Sequence, residues 1–470
     1  MNRTGWLWIC ALLLLLGGPL QAWQEPVAPA TEEEPQEEAE ESAPQTVDER
    51  IEELDQKIRV LERRDELEKE QAAEKAKTAT NVTSGRDGFS FRSTDGAYQL
   101  RLRGYVQFDG RFFQEDDERP ATDTFLLRRV RPIFEGTVFK IFDFRVMPDF
   151  GGGTTVLQDA YLDARFSPKL KVRAGKFKPP VGLERLQSGQ DLLFVERAFP
   201  TNLVPNRDLG IQLHGDLARG NVNWAVGVFN GVPDGSSGDV DANDGKDIAA
   251  RLFFQPFLAG AGPWKGLGFG VSASTGDQEG TLTSTGLAGY RTPAQQTFFS
   301  YRSDATAAGT VIADGDRFRL SPQGYLYRGR FGLLTEYVIS RQEVRRSDVA
   351  EELENTSWQV ATSWVLSGGE PTFRGVAPKA NFDPAAGTWG AFELAARYSV
   401  LEVDEDTFPL FANLASSAES AESWALGLNW YLNRNLRLYL DYERTQFDGG
   451  AATGDREDEN ILFSRFQIAF

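Results

Sequence analysis

The chain is 470 residues long, carries a formal net charge of −19 with a pI near 4.7, and contains one histidine and one cysteine. So little imidazole and thiol leaves almost nothing for metal binding or nucleophilic catalysis, and no enzyme activity, cofactor or nucleic-acid partner is expected. Length alone would allow about two to three soluble domains, but a large barrel can use most of it as one unit.

Residues 1–22 read as a secretory signal, with Arg3 as the basic start, Leu7 to Leu16 as the apolar stretch and Leu20-Gln21-Ala22 as the cleavage site before Trp23. About ten apolar residues are too few to cross a core of ~30 Å as a helix. Cys10 lies inside this segment, so the exported chain is expected to hold no thiol. No later segment approaches 18 consecutive apolar residues, which excludes helical spans. Residues 23–46, rich in Pro, Ala and Glu, form an acidic linker that cannot bury a core. In 47–77 the apolar residues Val47, Ile51, Leu54, Ile58 and Leu61 recur at heptad spacing among charges, the pattern of a short coiled coil that leans toward a trimer. A single solvated helix is the alternative. Residues 78–88 read as a second linker.

From 89 to 470 the chain is rich in Gly and aromatic residues, and strict alternation recurs. Sixteen strand candidates begin near residues 98, 124, 141, 155, 169, 208, 221, 246, 265, 316, 329, 355, 388, 419, 435 and 459. Short joints such as Gly329-Arg330 alternate with long polar segments such as 277–315 and 404–418, so short turns share one rim and long loops the other. In the first strand Leu100, Leu102, Val106, Phe108 and Phe112 share one face; Arg101, Arg103, Tyr105, Gln107, Asp109 and Arg111 share the other. Leu436, Leu438, Leu440 and Tyr442 oppose Arg437, Tyr439, Asp441 and Glu443 in the same way near the end. Unpaired charges on such a face cannot be buried dry, but they can line water. The fold class predicted is an all-β transmembrane protein, an antiparallel outer-membrane β-barrel of about 16 strands preceded by a short coiled-coil helix. Trp224, Trp264, Trp358, Trp364, Trp389, Trp424, Trp430 and Tyr431 are expected near strand ends, at headgroup level. Asp116-Asp117, Asp404-Glu405-Asp406 and Gly151-Gly152-Gly153 read as loops, and His214 as a lumen or rim residue.

Several patches in this region, taken together, resemble the phosphate-selective porin O and P family: Thr124-Phe125-Leu126-Leu127-Arg128-Arg129-Val130-Arg131, the run from Gly175 to Arg185, Val195-Glu196-Arg197 and Asn429-Trp430-Tyr431. The resemblance implies a homotrimer of barrels in the bacterial outer membrane, among lipid and lipopolysaccharide, passing small anions such as phosphate or polyphosphate by passive diffusion. It implies that the third extracellular loop, about Lys178 to Arg207, folds inward as a constriction. Arg128, Arg129, Arg185 and Arg197 resemble anion-binding residues of the family, and Arg101, Arg103 and Arg111 would line the same lumen. Adjacent residues of a regular strand face opposite ways, so either Arg128 or Arg129 must sit at a rim or a bulge. Phe470 resembles the terminal aromatic read by the barrel-assembly machinery. Tyr105 and Gln190 stand where phosphate-selective members carry arginine and lysine. That leaves a general, weakly selective pore as one alternative, and a barrel anchoring a periplasmic coiled coil as another.

Overall fold

The computed structural model describes residues 46–78, 80–85, 87–114, 121–241, 243–260 and 262–470. The signal segment, nearly all of the acidic linker and Asp116-Asp117 lie outside these. The chain divides into two compact units, 1–72 and 73–470.

The helix α1 spans Val47–Thr78. It begins with a capping box: Glu49 N–H donates to Thr46 Oγ1, and Thr46 N–H donates to Glu49 Oε2 at 2.9 Å. Pairs such as Lys57–Glu53 (2.6 Å) and Lys69–Asp65 (2.7 Å) sit one turn apart, each worth a few tenths of a kcal/mol. The heptad residues Val47, Ile51, Leu54, Ile58 and Leu61 are all exposed. The helix runs past the point where the apolar pattern fades, because Ala, Glu and Lys sustain helix on propensity alone.

Sixteen antiparallel strands close into a barrel. In chain order the first eight are β1 (Gln99–Gln114), β2 (Thr124–Val138), β3 (Phe142–Asp149), β4 (Val156–Ser167), β5 (Leu170–Phe177), β6 (Asp208–Leu217), β7 (Val222–Phe229) and β8 (Asp247–Phe254). There follow β9 (Gly266–Glu279), β10 (Ile312–Arg328), β11 (Phe331–Arg346), β12 (Val349–Ser367), β13 (Ala391–Glu402), β14 (Ala418–Tyr431), β15 (Leu436–Gly449) and β16 (Glu459–Ala469). Each pairs with the next, and β16 pairs back onto β1 from Asn460↔Gln114 to Ala469↔Tyr105. Closure gives each of the sixteen barrel strands a partner on both sides, as a strand-built membrane span requires.

The faces are inverted relative to a soluble protein. Leu440 is 48% exposed, whereas its neighbour Asp441 is 1% exposed. Arg465, Glu443 and Asp109 are likewise buried inside. Long loops share one rim, with one exception: β11 and β12 are joined there by 347–348 alone. The short-turn rim also carries two longer connections, 255–265 between β8 and β9 and 368–390 between β12 and β13.

Three sequence expectations are corrected. Residues 80–85, expected as linker, form a strand that hairpins onto Gly88–Ser93. Phe89 to Arg92 then pair with Leu102 to Gln99 of β1. The reason is local: β16 stops at Tyr105, so the foot of β1 would otherwise present unpaired backbone groups. Trp358 and Trp424 lie within strands rather than at their ends. With Tyr398 (5.4 Å from Trp358) and Tyr442 (5.4 Å from Trp424) they form an aromatic row, because β12 has 19 residues where about 9–11 cross the membrane. Tyr431 faces inward, its hydroxyl donating to Glu393 Oε2 at 2.7 Å.

Candidate functional site

The segment 178–207 joins β5 to β6 and fills the middle of the barrel. Lys178-Pro179-Pro180 ends β5, since two prolines offer no N–H to a ladder. Val181, Leu192, Val195, Phe199, Leu203 and Val204 are fully buried. Phe199, Leu203 and Val204 join an apolar cluster with wall and loop residues Val338, Leu401 and Phe298. The wall grips the loop backbone directly. Glu336 accepts from the Leu183 N–H at 2.6 Å and the Glu184 N–H at 3.2 Å. Asp441 accepts from the Val195 N–H at 2.7 Å. Arg437, Arg397 and Arg465 donate to the carbonyls of Leu192, Glu196 and Val195 at 2.8, 2.8 and 2.6 Å. Gly182 permits the approach to Glu336: its φ is +83°, and a Cβ there would lie 3.1 Å from Glu336 Oε1.

Glu196 is the electrostatic centre of this loop. Arg111 and Arg129 approach it at 3.0 and 3.1 Å, Arg128 contacts both of its oxygens, and Arg465 lies 3.7 Å away. Both adjacent arginines reach it because β2 bulges there. Gln107 pairs with Arg129 and Phe108 with Leu127, so Arg128 is the extra residue. Burial alone would raise the Glu196 carboxyl; the guanidiniums of Arg128, Arg129 and Arg111 more than reverse this and hold it well below the usual carboxylate range.

Beside this cluster lies a cavity of about 380 Å³ whose lining includes Arg128, Arg129, Arg185, Arg197 and Arg291 against two carboxylates, Glu196 and Asp234. Asp234 is already engaged by Arg319 at 2.7 Å. Arg185 and Arg197 differ from Arg128 and Arg129, which pair with Glu196. Arg185 donates to the Thr201 carbonyl, and Arg197 to the carbonyls of Glu184 and Gln187 at 3.0 and 2.7 Å. Among the described residues neither has a carboxylate within ion-pair distance. Burial pulls them down to about 9 and about 10, far enough above neutrality that both stay charged.

The other sequence-predicted residues lie elsewhere. Arg103 and Arg101 pair with Glu135 at 2.9 and 3.6 Å, toward the short-turn rim and away from Glu196. Phe470 is joined to Gly104 by two backbone hydrogen bonds of 2.8 and 2.9 Å. Tyr105 receives a hydrogen bond from Arg131 at 2.8 Å, and the Gln190 carbonyl one from Gln467 at 2.9 Å. His214 faces inward, 3.0 Å from Asp163. Sequence reasoning missed Glu336, Arg397 and Arg465 as loop anchors. Alternation could put them inside, but nothing local shows that their partners are backbone groups of the loop, N–H groups for Glu336 and carbonyls for Arg397 and Arg465. Among the described residues no group of three or more His, Cys, Asp and Glu is arranged to hold a metal ion.

A model of the family described as "Phosphate-selective porin O and P" matches residues 99–470. Porin O of Pseudomonas aeruginosa is 22% identical over 417 residues, covering 83% of this chain and 92% of that protein. Among solved structures, the outer membrane channel DcaP of Acinetobacter baumannii superposes with a TM-score of 0.52 at 12% identity. The match covers 83% of this chain and all of that one, a likeness of fold.

Proposed function

Because this chain belongs to the phosphate-selective porin O and P family, and is a channel of the bacterial outer membrane, we propose that it passes small anions by passive diffusion, phosphate or polyphosphate among them. The reading rests on one observation: five arginines face two carboxylates around the cavity beside the inward loop, in a chain that is acidic overall. Backbone carbonyls orient Arg185 and Arg197 without neutralising them. Guanidinium groups offer forked donors to oxyanions and stay charged at any relevant pH. Several weak stations in series let an ion enter and still leave.

A second reading, a general pore with weak anion preference, is favoured by Glu196, which already engages Arg111, Arg128 and Arg129. We further propose that three chains associate, and that the exposed apolar stripe of α1 pairs with its copies as a periplasmic coiled coil. Residues 1–22 would then be the signal and 23–46 an acidic linker.

Planar-bilayer recording tests the anion reading. Under a salt gradient the reversal potential should report anion preference, and phosphate should block chloride current. Arg185→Ala and Arg197→Ala should each weaken that block. A reversal potential at the unselective value removes the anion claim. Unaltered block in both variants removes the two arginines from it.

A further inference from the structure

On the short-turn rim, which family membership makes periplasmic, the long segment 368–390 does not hang free. Pro371-Thr372 pairs with Gly375-Val376 as a tight hairpin. Val376 packs against Val365, Ala391 and Tyr431 of the wall. The hairpin tip reaches the underside of the constriction loop, where Gln187 Nε2 donates to the Phe373 carbonyl at 2.6 Å.

This puts Phe373 against an aromatic wall. Its ring stacks on Tyr325 with centroids 4.9 Å apart and planes at 21°. Tyr325 in turn lies 5.5 Å from Phe253 and 5.4 Å from Tyr327. Gln255 Nε2 fixes the Tyr325 hydroxyl at 2.9 Å. Arg251 lies over the Phe253 ring, 4.3 Å from its centroid, and its hydrogen bonds go to the neutral Gln323. These residues border a cavity of about 740 Å³ that Leu183 of the loop also lines. Its charged lining is Arg251, Lys265, Arg328 and Arg374 against Glu370 alone. Among the described residues, neither Arg251 nor Arg374 has a carboxylate within ion-pair distance.

We propose that this cavity is a station for aromatic monocarboxylates on the periplasmic side of the constriction loop. Rings that stack or meet edge-on gain from a flat aromatic guest, and the unpaired guanidiniums beside them take its carboxylate. Phosphate uses the cations but gains nothing from the rings. A neutral sugar would stack but find a cationic rim in place of carboxylate acceptors. The combination selects an arene that carries negative charge. The inference rests on the chain being a channel, and it concerns a different cavity from that of Arg185 and Arg197.

The test uses the full-length protein in planar bilayers with chloride current as the readout and three probes: benzoate, cyclohexanecarboxylate and acetate. Benzoate should block at concentrations about three- to tenfold below cyclohexanecarboxylate, which has the same charge and similar bulk without a π face. Phe373→Leu keeps apolar volume and should abolish that difference. Arg374→Gln, at the exposed hairpin tip, should weaken block by all three carboxylates. Arg197→Ala should weaken phosphate block and leave the benzoate preference intact, so the two sites fail separately. Equal potency of benzoate and cyclohexanecarboxylate, or a preference that survives Phe373→Leu, overturns the proposal.

Discussion

Arg465 grips Asp109 across the seam where the barrel closes. Its Nε and Nη2 donate to Oδ1 and Oδ2 at 2.6 and 2.7 Å, and neither side chain is exposed. The two residues are register partners on β16 and β1. Nη1 of the same guanidinium holds the Val195 carbonyl at 2.6 Å. One side chain therefore ties the last strand to the first, and both to the inward loop.

Arg465→Ala should destabilise the barrel by about 3–5 kcal/mol, because it strands a buried carboxylate at the seam. Asp109→Asn together with Arg465→Gln, which removes both charges, should cost less than the single change. Urea midpoints of the folded protein in detergent check both expectations. Equal midpoints for Arg465→Ala and the parent would show that water in the lumen replaces the pair.

Glu196→Gln keeps the shape of the loop but releases Arg111, Arg128 and Arg129 from a shared negative charge. The constriction should become more anion-preferring. Phosphate block should tighten on the order of tenfold, equivalent to about 1.4 kcal/mol. The reversal potential should move further toward the anion limit. A move in the opposite direction would mean that Glu196 serves mainly to hold those arginines in place.

Period-two alternation, read against turn residues, made sixteen strands legible, most with starts within a few residues of those observed. The family resemblance and the strand count placed the inward loop at about Lys178 to Arg207, and Lys178-Pro179-Pro180 does end β5 there. The adjacency of Arg128 and Arg129 required a bulge or rim position, and β2 bulges there. What stayed hidden was pairing across distance. Glu196 and Arg111 are separated by 85 positions, and nothing near either residue names the other. The segment 368–390 was opaque for a different reason. A polar run with Pro and Gly carries no periodicity, so hanging free and folding back into the mouth look alike in sequence. Tyr431 was misread because the aromatic pair Trp430-Tyr431 straddles the wall, one ring on each side.

Asp191 lies in the inward loop, and burial raises its carboxyl to about 6, with Arg374 and Arg437 opposing only in part. A carboxyl raised on folding binds a proton that the unfolded chain has already lost. Its contribution is therefore most favourable below its ordinary value near 3.8 and becomes a penalty as pH rises through about 6. Asp191→Asn should remove that penalty, stabilising the barrel on the order of 2 kcal/mol at pH 7.5. The advantage should shrink between pH 6 and pH 4. Thermal melts of both proteins in one detergent across that range check the sign, and an advantage that grows toward acid would contradict it.

Phe470 offers two separable contributions at the foot of the seam. Its backbone exchanges two hydrogen bonds with Gly104, at 2.8 and 2.9 Å, while its ring lies outside the barrel, partly exposed. A Cβ on Gly104 would stand 2.9 Å from the Arg131 carbonyl oxygen and 3.4 Å from that ring, so the seam is closed tightly here. Phe470→Ala keeps the backbone pair and removes only the ring; deleting the residue removes both. If the ring is what the barrel-assembly machinery reads, Phe470→Ala should lower the yield of folded protein in cells as much as deletion does. Purified and refolded in detergent, Phe470→Ala should then melt close to the parent and deletion below it. Normal cellular yield of Phe470→Ala would assign the residue to the seam alone.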